Sequence, residues 1–314
     1  MTPAIEVRGL HKSYGDQRVL DGIDLTVAQG TIFSLLGPNG AGKTTVVNIL
    51  STLITADAGE VRIDGTDLTA APDTVRAAIG VTGQFSAVDG LLTGEENLWL
   101  MADLNHLGKA AGRRRAAELL EQFDLVEAGQ KTAMSYSGGM KRRLDLAMTL
   151  VGEPRIIFLD EPTTGLDPRS RHSMWQIIRQ LVAGGVTVFL TTQYLEEADQ
   201  LADRIAVLDH GQLVAQGTPE ELKRLVPGGH VRLRFTAPDE LELAARVLTA
   251  GVPDRDALVL QVPNDGRVQS LRDLLARIDD ASLEVDELTV HTPDLDDVFF
   301  AVTGHPTDEK VTTR

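Results

Sequence analysis

An α/β fold built on a parallel sheet, followed by a small α+β domain, is what this 314-residue sequence predicts. Three observations predict it. Nearly continuous apolar runs at residues 155–159, 186–190 and 205–208 are separated by helical stretches at 173–183 and 195–202, the pattern of strands buried on both faces and joined by helical crossovers. The apolar run Ile32-Phe33-Ser34-Leu35-Leu36 ends in a glycine-rich turn and then a helix-like stretch. Near Pro227-Gly228-Gly229 the rhythm changes, and the last 85 or so residues alternate strand and helix on a smaller scale.

The elements follow in order. Residues 5–10, 19–27 and 31–36 read as strands, because short apolar runs there are bounded by turn residues. Residues 44–53 read as a helix, and 59–63 and 79–82 as further strands. From 95 to 125 the pattern is helical, with Glu118-Leu119-Leu120-Glu121-Gln122-Phe123 amphipathic at a period near 3.6. A helix over 141–151 leads back to the buried strands. The last part reads as strands at 231–235, 257–262 and 282–289 with helices at 240–250, 268–278 and 295–302. The expected division is a first domain over 3–225, a second over 230–304 and a polar, frayed tail over 305–314.

Composition narrows the function classes. Asp and Glu number 46 and Lys and Arg 30, a net charge of -16 that repels phosphate backbones, so no nucleic-acid partner is expected. With no cysteine, disulfide frameworks, thiolate metal sites and cysteine nucleophiles are excluded. The opening carries Glu6 and Arg8 and no long apolar run, so no signal peptide is expected. No run approaches ~18 consecutive apolar residues, so work at a membrane would need a separate membrane subunit.

Gly37-Pro38-Asn39-Gly40-Ala41-Gly42-Lys43-Thr44 has the spacing of a phosphate-binding loop: glycine, four residues, then Gly-Lys-Thr. Glycines let backbone amides approach phosphate oxygens, and the helix that follows points its positive end at them. Lys43 is expected on the β- and γ-phosphates of a nucleotide and the Thr44 hydroxyl on Mg²⁺. The strand Ile156-Ile157-Phe158-Leu159 ends in Asp160 and Glu161. Asp160 suits the metal, and Glu161 is placed to polarise an attacking water as general base. Tyr136-Ser137-Gly138-Gly139-Met140 opens the helix at Lys141 and offers a second anion site. Two separate phosphate elements in one chain make sense when two molecules share each nucleotide.

In this order the motifs resemble those of the ATP-binding cassette (ABC) ATPases, over roughly residues 3–225. The resemblance implies a P-loop NTPase: a RecA-like core with a helical subdomain at about 85–152. Residues 37–44 correspond to Walker A, 156–160 to Walker B, Ser137-Gly138-Gly139-Met140 to the signature, Gln84 to the loop glutamine and Gly165-Leu166-Asp167 to the D-loop. It further implies Tyr14 stacked on adenine, Thr45 beside the phosphates, Gln84 near Mg²⁺ or the lytic water, and Asp167 crossing a dimer interface. ATP and Mg²⁺ are the implied cofactors. Two copies are implied to close around two nucleotides, each held between one chain's Lys43 loop and the other's Ser137 and Gly139. ABC ATPases of DNA repair or of the ribosome fit less well, since there is one phosphate loop and the surface is acidic.

One position departs from the pattern. Most of these ATPases carry a switch histidine where this chain has Gln193, in Thr191-Thr192-Gln193-Tyr194-Leu195-Glu196-Glu197-Ala198-Asp199. A glutamine amide can donate to a γ-phosphate oxygen but carries no proton at neutral pH, so Gln193 is expected to sense phosphate or position water. That segment, Val81-Thr82-Gly83-Gln84 and Leu295-Asp296-Asp297-Val298-Phe299 are similar to the daunorubicin-resistance (DrrA) family of actinobacterial drug exporters. The resemblance implies an ATP-hydrolysing subunit at the cytoplasmic face of the cell membrane, energising a separate permease that exports a small amphipathic molecule. A nucleotide-dependent binding or regulatory module that barely hydrolyses is the alternative, and Gln193 keeps it open.

Overall fold

The structure, a computed structural model, describes residues 3–84, 86–226, 229–264, 267–291 and 293–304. The expected tail at 305–314, the expected start of the helical region at Phe85 and the boundary residues Pro227 and Gly228 lie outside the described residues.

Strands β1 (Ile5–Tyr14) and β2 (Gln17–Val27) pair antiparallel, and their alternating burial turns Ile5, Val7, Leu10, Leu20, Ile23 and Leu25 inward. The wholly buried β3 (Ile32–Leu36) leads through the glycine turn to helix α1 (Lys43–Leu50). Then come β4 (Ala58–Ile63), β5 (Thr66–Asp67), α2 (Pro72–Ala78) and β6 (Ile79–Thr82). Helices α3 (Gly94–Leu104) and α4 (Lys109–Gln122), two 3-10 turns and α5 (Gly138–Thr149) follow. Thr93 and Glu96 close a capping box at the start of α3, satisfying two of its orphan donors. Crossovers resume with β7 (Ile156–Asp160), α6 (Pro168–Ala183), β8 (Thr187–Thr192), α7 (Leu195–Leu201), β9 (Arg204–Asp209), β10 (Gln212–Gly217) and α8 (Pro219–Lys223). The chain ends in β11 (His230–Arg234), α9 (Pro238–Val247), β12 (Val252–Asp254), β13 (Val259–Pro263), α10 (Val268–Asp280), β14 (Glu287–His291) and α11 (Leu295–Thr303).

Two compact units result, Met1–Pro219 and Glu220–Arg314, where the sequence suggested 225 as the end of the first. The first unit holds a four-stranded sheet in the order β2-β1-β4-β5 and a six-stranded sheet in the order β10-β9-β3-β8-β7-β6. Strands β9, β3, β8, β7 and β6 are parallel, and β10 is an antiparallel edge. Period-two alternation gives the parallel sheet two apolar faces. On one, Phe189 stacks on Phe33 at 5.4 Å and meets Phe158 at a tilt at 5.6 Å, and the three pack against α1 and the smaller sheet. On the other, Ile157, Leu159, Val188 and Leu190 pack with Trp175 and Ile178 of α6 and with the helices of the middle region. Burying each such phenylalanine stabilises the fold by roughly 1.5–3 kcal/mol.

In the second unit the sheet order is β12-β13-β11-β14, all antiparallel. Only one face is apolar: Val231, Leu233, Leu260 and Val262 meet Leu241 and Ala244 of α9 and Leu274 and Ile278 of α10. That is the expected α+β arrangement.

Several elements differ from the sequence reading for local reasons. The helical stretch at 95–125 divides because His106 takes a left-handed backbone (φ 57°) and Gly108 caps a new helix. Helix α6 starts at Pro168 rather than 173, since Asp167 caps it and proline suits the first turn. The last strand lies at Glu287–His291, beyond the turn that Ser282 makes at φ 46°. Strand β10 escaped notice because an edge strand exposed at every second residue carries a weak apolar signal.

Candidate nucleotide-binding site

Register places the site. In the parallel sheet Leu36 pairs with Thr192, Asp160 with Thr191, and Thr82 with Leu159. The strands therefore end along one edge, where open α/β sheets bind ligands. From that edge leave the 37–44 loop, Glu161, Gln193 and Gln84.

The loop's backbone needs its glycines. A Cβ on Gly37 would stand 2.2 Å from the Leu208 carbonyl oxygen. Gly42, which caps α1, holds φ 110°, a conformation that L side chains rarely adopt. Asn39 and Gly40 are exposed at the tip and Thr44 is exposed on the first turn of α1, at the positive end of the helix. Lys43, 6 % exposed, donates from Nζ to the carbonyls of Gly37 (2.8 Å) and Pro38 (3.1 Å) and lies 3.6 Å from Glu161 Oε1. Burial pulls the Lys43 ammonium below the ordinary lysine value, while the charges of Glu161 and Asp160 pull it back.

Asp160 is buried, and the Thr191 hydroxyl donates to its Oδ1. Glu161 leaves the strand with a left-handed backbone, φ 48°. Its N–H donates to both the carbonyl and the hydroxyl oxygen of Thr191 (3.2 Å each), and its Oε2 accepts from the Thr164 hydroxyl at 3.2 Å. Such a backbone in a non-glycine residue costs about 1–3 kcal/mol and persists where surrounding contacts over-determine it. The Thr44 hydroxyl, an Asp160 carboxylate oxygen and the Gln84 amide oxygen are hard donors suited to Mg²⁺. No group of three or more His, Asp or Glu that could hold a metal occurs among the described residues. That set suits Mg²⁺ shared with nucleotide phosphates, which needs only one or two carboxylates.

Ser137 caps α5, its Oγ accepting from the Met140 N–H at 3.2 Å. Ser137, Gly139 and Met140 line a cleft of about 220 Å³ with Arg143, Arg169 and Ser170, a cleft to which the 37–44 loop contributes nothing. Ser137 and Gly138 face solvent. Asp167 accepts from the Ser170 N–H (3.0 Å) and hydroxyl (2.6 Å), and the hydroxyl bond chiefly holds its carboxyl below the usual range. Tyr14 is half exposed at the end of β1, with Lys12 Nζ 5.5 Å from its ring centre. Gln84 is exposed and Gln193 half-buried.

The family described as ABC transporter matches residues 20–164. A second, described as Osmosensitive K+ channel His kinase sensor domain, matches residues 107–225 and overlaps the first. The daunorubicin resistance ATP-binding protein DrrA2 of Streptomyces coeruleorubidus is 49% identical over 97% of this chain and 96% of its own length. This chain belongs to the ABC transporter ATP-binding proteins. The doxorubicin resistance ATP-binding protein DrrA of Mycobacterium tuberculosis is 46% identical over 97% of the chain and 95% of its own. Among solved structures, an ATP-binding subunit of an ABC transporter matches with TM-score 0.64 and 30% identity, covering 71% of this chain and 93% of that one. A dimeric ATP-binding cassette in a post-hydrolysis state with ADP and Pi matches with TM-score 0.62 and 27% identity, covering 68% of this chain and 98% of that one. So the full-length relatives share both units of this ABC protein, and those two solved cassettes span about as much as the first.

Four side chains in or behind the cassette's site were not singled out in the sequence. Thr191 holds both Asp160 and the Glu161 N–H. Arg142 and Asp145, on α5 just past the signature, reach across to Walker B and to the Gln84 loop. Their spacing of three on a helix face was a signal, but a common one. Glu197 is wholly buried, with Oε1 accepting from the Thr163 hydroxyl (2.8 Å) and the Trp175 indole N–H (3.1 Å).

Proposed function

We propose that this ABC ATP-binding protein hydrolyses ATP as a homodimer and so energises a separate membrane permease. The observation that carries the reading is the Glu161 carboxylate, held on a left-handed backbone within 3.6 Å of the phosphate-loop Lys43. In the mechanism, the amides of residues 37–44 and the positive end of α1 take the β- and γ-phosphates, and Lys43 leaves Glu161 to neutralise them. Thr44, Asp160 and Gln84 would hold Mg²⁺, which when bound supplies charge neutralisation on the phosphate oxygens. Glu161, freed of Lys43, accepts a proton from the attacking water as its oxygen bonds the γ-phosphorus. The bond to the bridging oxygen breaks, leaving ADP and phosphate. Gln193 donates to a γ-oxygen or positions that water.

Ser137, Gly139 and Met140 line a cleft with Arg143 and Arg169 to which the phosphate loop of their own chain contributes nothing, and Gly138 faces solvent beside it. A second copy would bring them to the γ-phosphate, and charge-assisted contacts would close the pair until hydrolysis removes them. Tyr14 would face the adenine and Asp167 the other copy. No helix among the described residues is long and apolar enough to cross a membrane. In this reading the permease is a separate polypeptide and the chain docks on it at the cytoplasmic face. The two drug-resistance relatives support export of a small amphipathic, drug-like cargo.

The test is Mg-ATP turnover by the purified chain. Wild type is expected to hydrolyse, and Glu161→Gln to lose about 10²–10⁴-fold in kcat while still binding nucleotide. Equal turnover in the two proteins removes Glu161 as base. The module that binds nucleotide with little hydrolysis draws support from Gln193, which cannot titrate. Unchanged turnover in Gln193→Ala would remove that residue from the reaction.

A further inference from the structure

We propose that Arg142, tied to Asp145, is a positioning residue that holds the Glu161 backbone and the Gln84 loop in one geometry, both fastened to the helix that begins at Ser137. A guanidinium has five N–H donors in a rigid fork. In this chain all five are engaged. Nε donates to the Pro162 carbonyl (2.9 Å), and Nη1 donates to the Gly83 carbonyl (2.8 Å) and to Asp145 Oδ2 (3.4 Å). Nη2 donates to the carbonyls of Asp160 (3.1 Å) and Glu161 (3.3 Å).

Two consequences follow from those partners. Asp160, Glu161 and Pro162 are successive residues whose carbonyls meet one cation, which requires the sharp left-handed turn that Glu161 makes. Arg142 therefore grips the Glu161 unit from its carbonyl side while Thr191 grips it from the N–H side. The second consequence concerns Gln84. Asp145 Oδ1 accepts from the Ala87 N–H at 3.0 Å, and Arg142 takes the Gly83 carbonyl, so Gln84 lies between two anchors on one helix face. Asp145 is 3 % exposed; burial pushes its carboxyl up, and the Ala87 amide and Arg142 oppose that push. A rotation of α5 is thus transmitted at once to the general base and to the glutamine loop. A lysine, with three donors on one nitrogen, cannot span these partners.

A purely structural ion pair would affect stability alone; a positioning pair moves kcat and local dynamics. The experiment compares the full-length wild type, Arg142→Lys, and the double variant Arg142→Met/Asp145→Leu, in which apolar bulk replaces the pair so that no charge is left buried. Amide hydrogen exchange is read on the peptides carrying Gly83 and Ala87 and on those carrying Glu161 and Thr164. In either variant both sets are expected to exchange at least about tenfold faster, and together, while α1 keeps its wild-type rate. With Mg-ATP, kcat is expected to fall about 100-fold with KM within about threefold. Unchanged exchange, or faster exchange in one segment alone, overturns the proposal, as does a rise in KM at constant kcat. Should Arg142→Lys fail to fold, the double variant decides. The kcat arm rests on the hydrolysis proposed above. The exchange arm needs no turnover, so a silent wild type counts against hydrolysis and leaves the positioning claim to be decided by exchange.

Discussion

Two buried or nearly buried glutamates sit behind the sheet edge in different electrostatic settings. Glu161 has a cation, Lys43, at 3.6 Å, whereas Glu197 has the hydroxyl of Thr163 and the indole of Trp175. Among the described residues Glu197 Oε2 has no hydrogen-bond partner. Burial pushes the Glu197 carboxyl above the usual glutamate range, opposed by its hydrogen-bonding neighbours. A folded-state value raised above the unfolded one stabilises the fold at low pH, and that contribution is lost as pH rises through the raised value. Glu197→Gln keeps a carbonyl oxygen for Thr163 and Trp175 and carries no charge. Its stability relative to wild type is therefore expected to rise from about pH 4, near the ordinary glutamate value, toward neutrality, as read by denaturant unfolding at each pH. A difference that is flat or falls with pH contradicts this. At this scale Lys43, Asp160 and Glu161 were legible, because strand–loop–helix context and residue type suffice. Thr191, Arg142 and Asp145 were not, because their roles depend on partners 18 or more residues away in the chain, except for the Arg142–Asp145 pair itself.

At the scale of elements, the phosphate loop is where backbone geometry dictates sequence most strictly. Gly37 stands with its hydrogens against the Leu208 carbonyl, backbone that cannot swing aside as a side chain would. Gly37→Ala is expected to cost about 1–3 kcal/mol by overpacking and to weaken nucleotide binding, measured by thermal unfolding and by titration with a fluorescent nucleotide. Wild-type stability in that variant would contradict the close approach seen here. The parallel strands and the helix that opens at Ser137 could be read from apolar runs and from a serine cap before two glycines. Asp167 could be read as a D-loop residue, yet its role inside this chain is to cap α6. The division between α3 and α4 was not readable, since Lys109 to Gln122 continues a helical pattern and only the backbone at His106 reveals the break.

For the whole molecule, three apolar clusters, each confined to one unit, argue for two cooperative units. The clusters around Phe158 and Trp175 belong to the first and the Leu233 cluster to the second. Nucleotide bound to the first unit should raise its stability by roughly 2.7 kcal/mol at a free concentration 100-fold above Kd. Calorimetry with and without Mg-ATP is expected to show one transition that moves and one that stays. A single transition that moves as a whole would show the units to unfold together. The chain divides at Pro219, whereas the sequence pointed to 225, because the proline and glycines that mark its change of rhythm lie at 227–229.

The central claim is that two copies close around Mg-ATP, with Glu161 of each chain completing the reaction. Native mass spectrometry of Glu161→Gln, incubated with Mg-ATP and with Mg-ADP, tests it most directly. A dimer carrying two ATP molecules in the first sample and monomer in the second is the predicted result. A monomer with one bound ATP, or a dimer indifferent to the nucleotide, would contradict it.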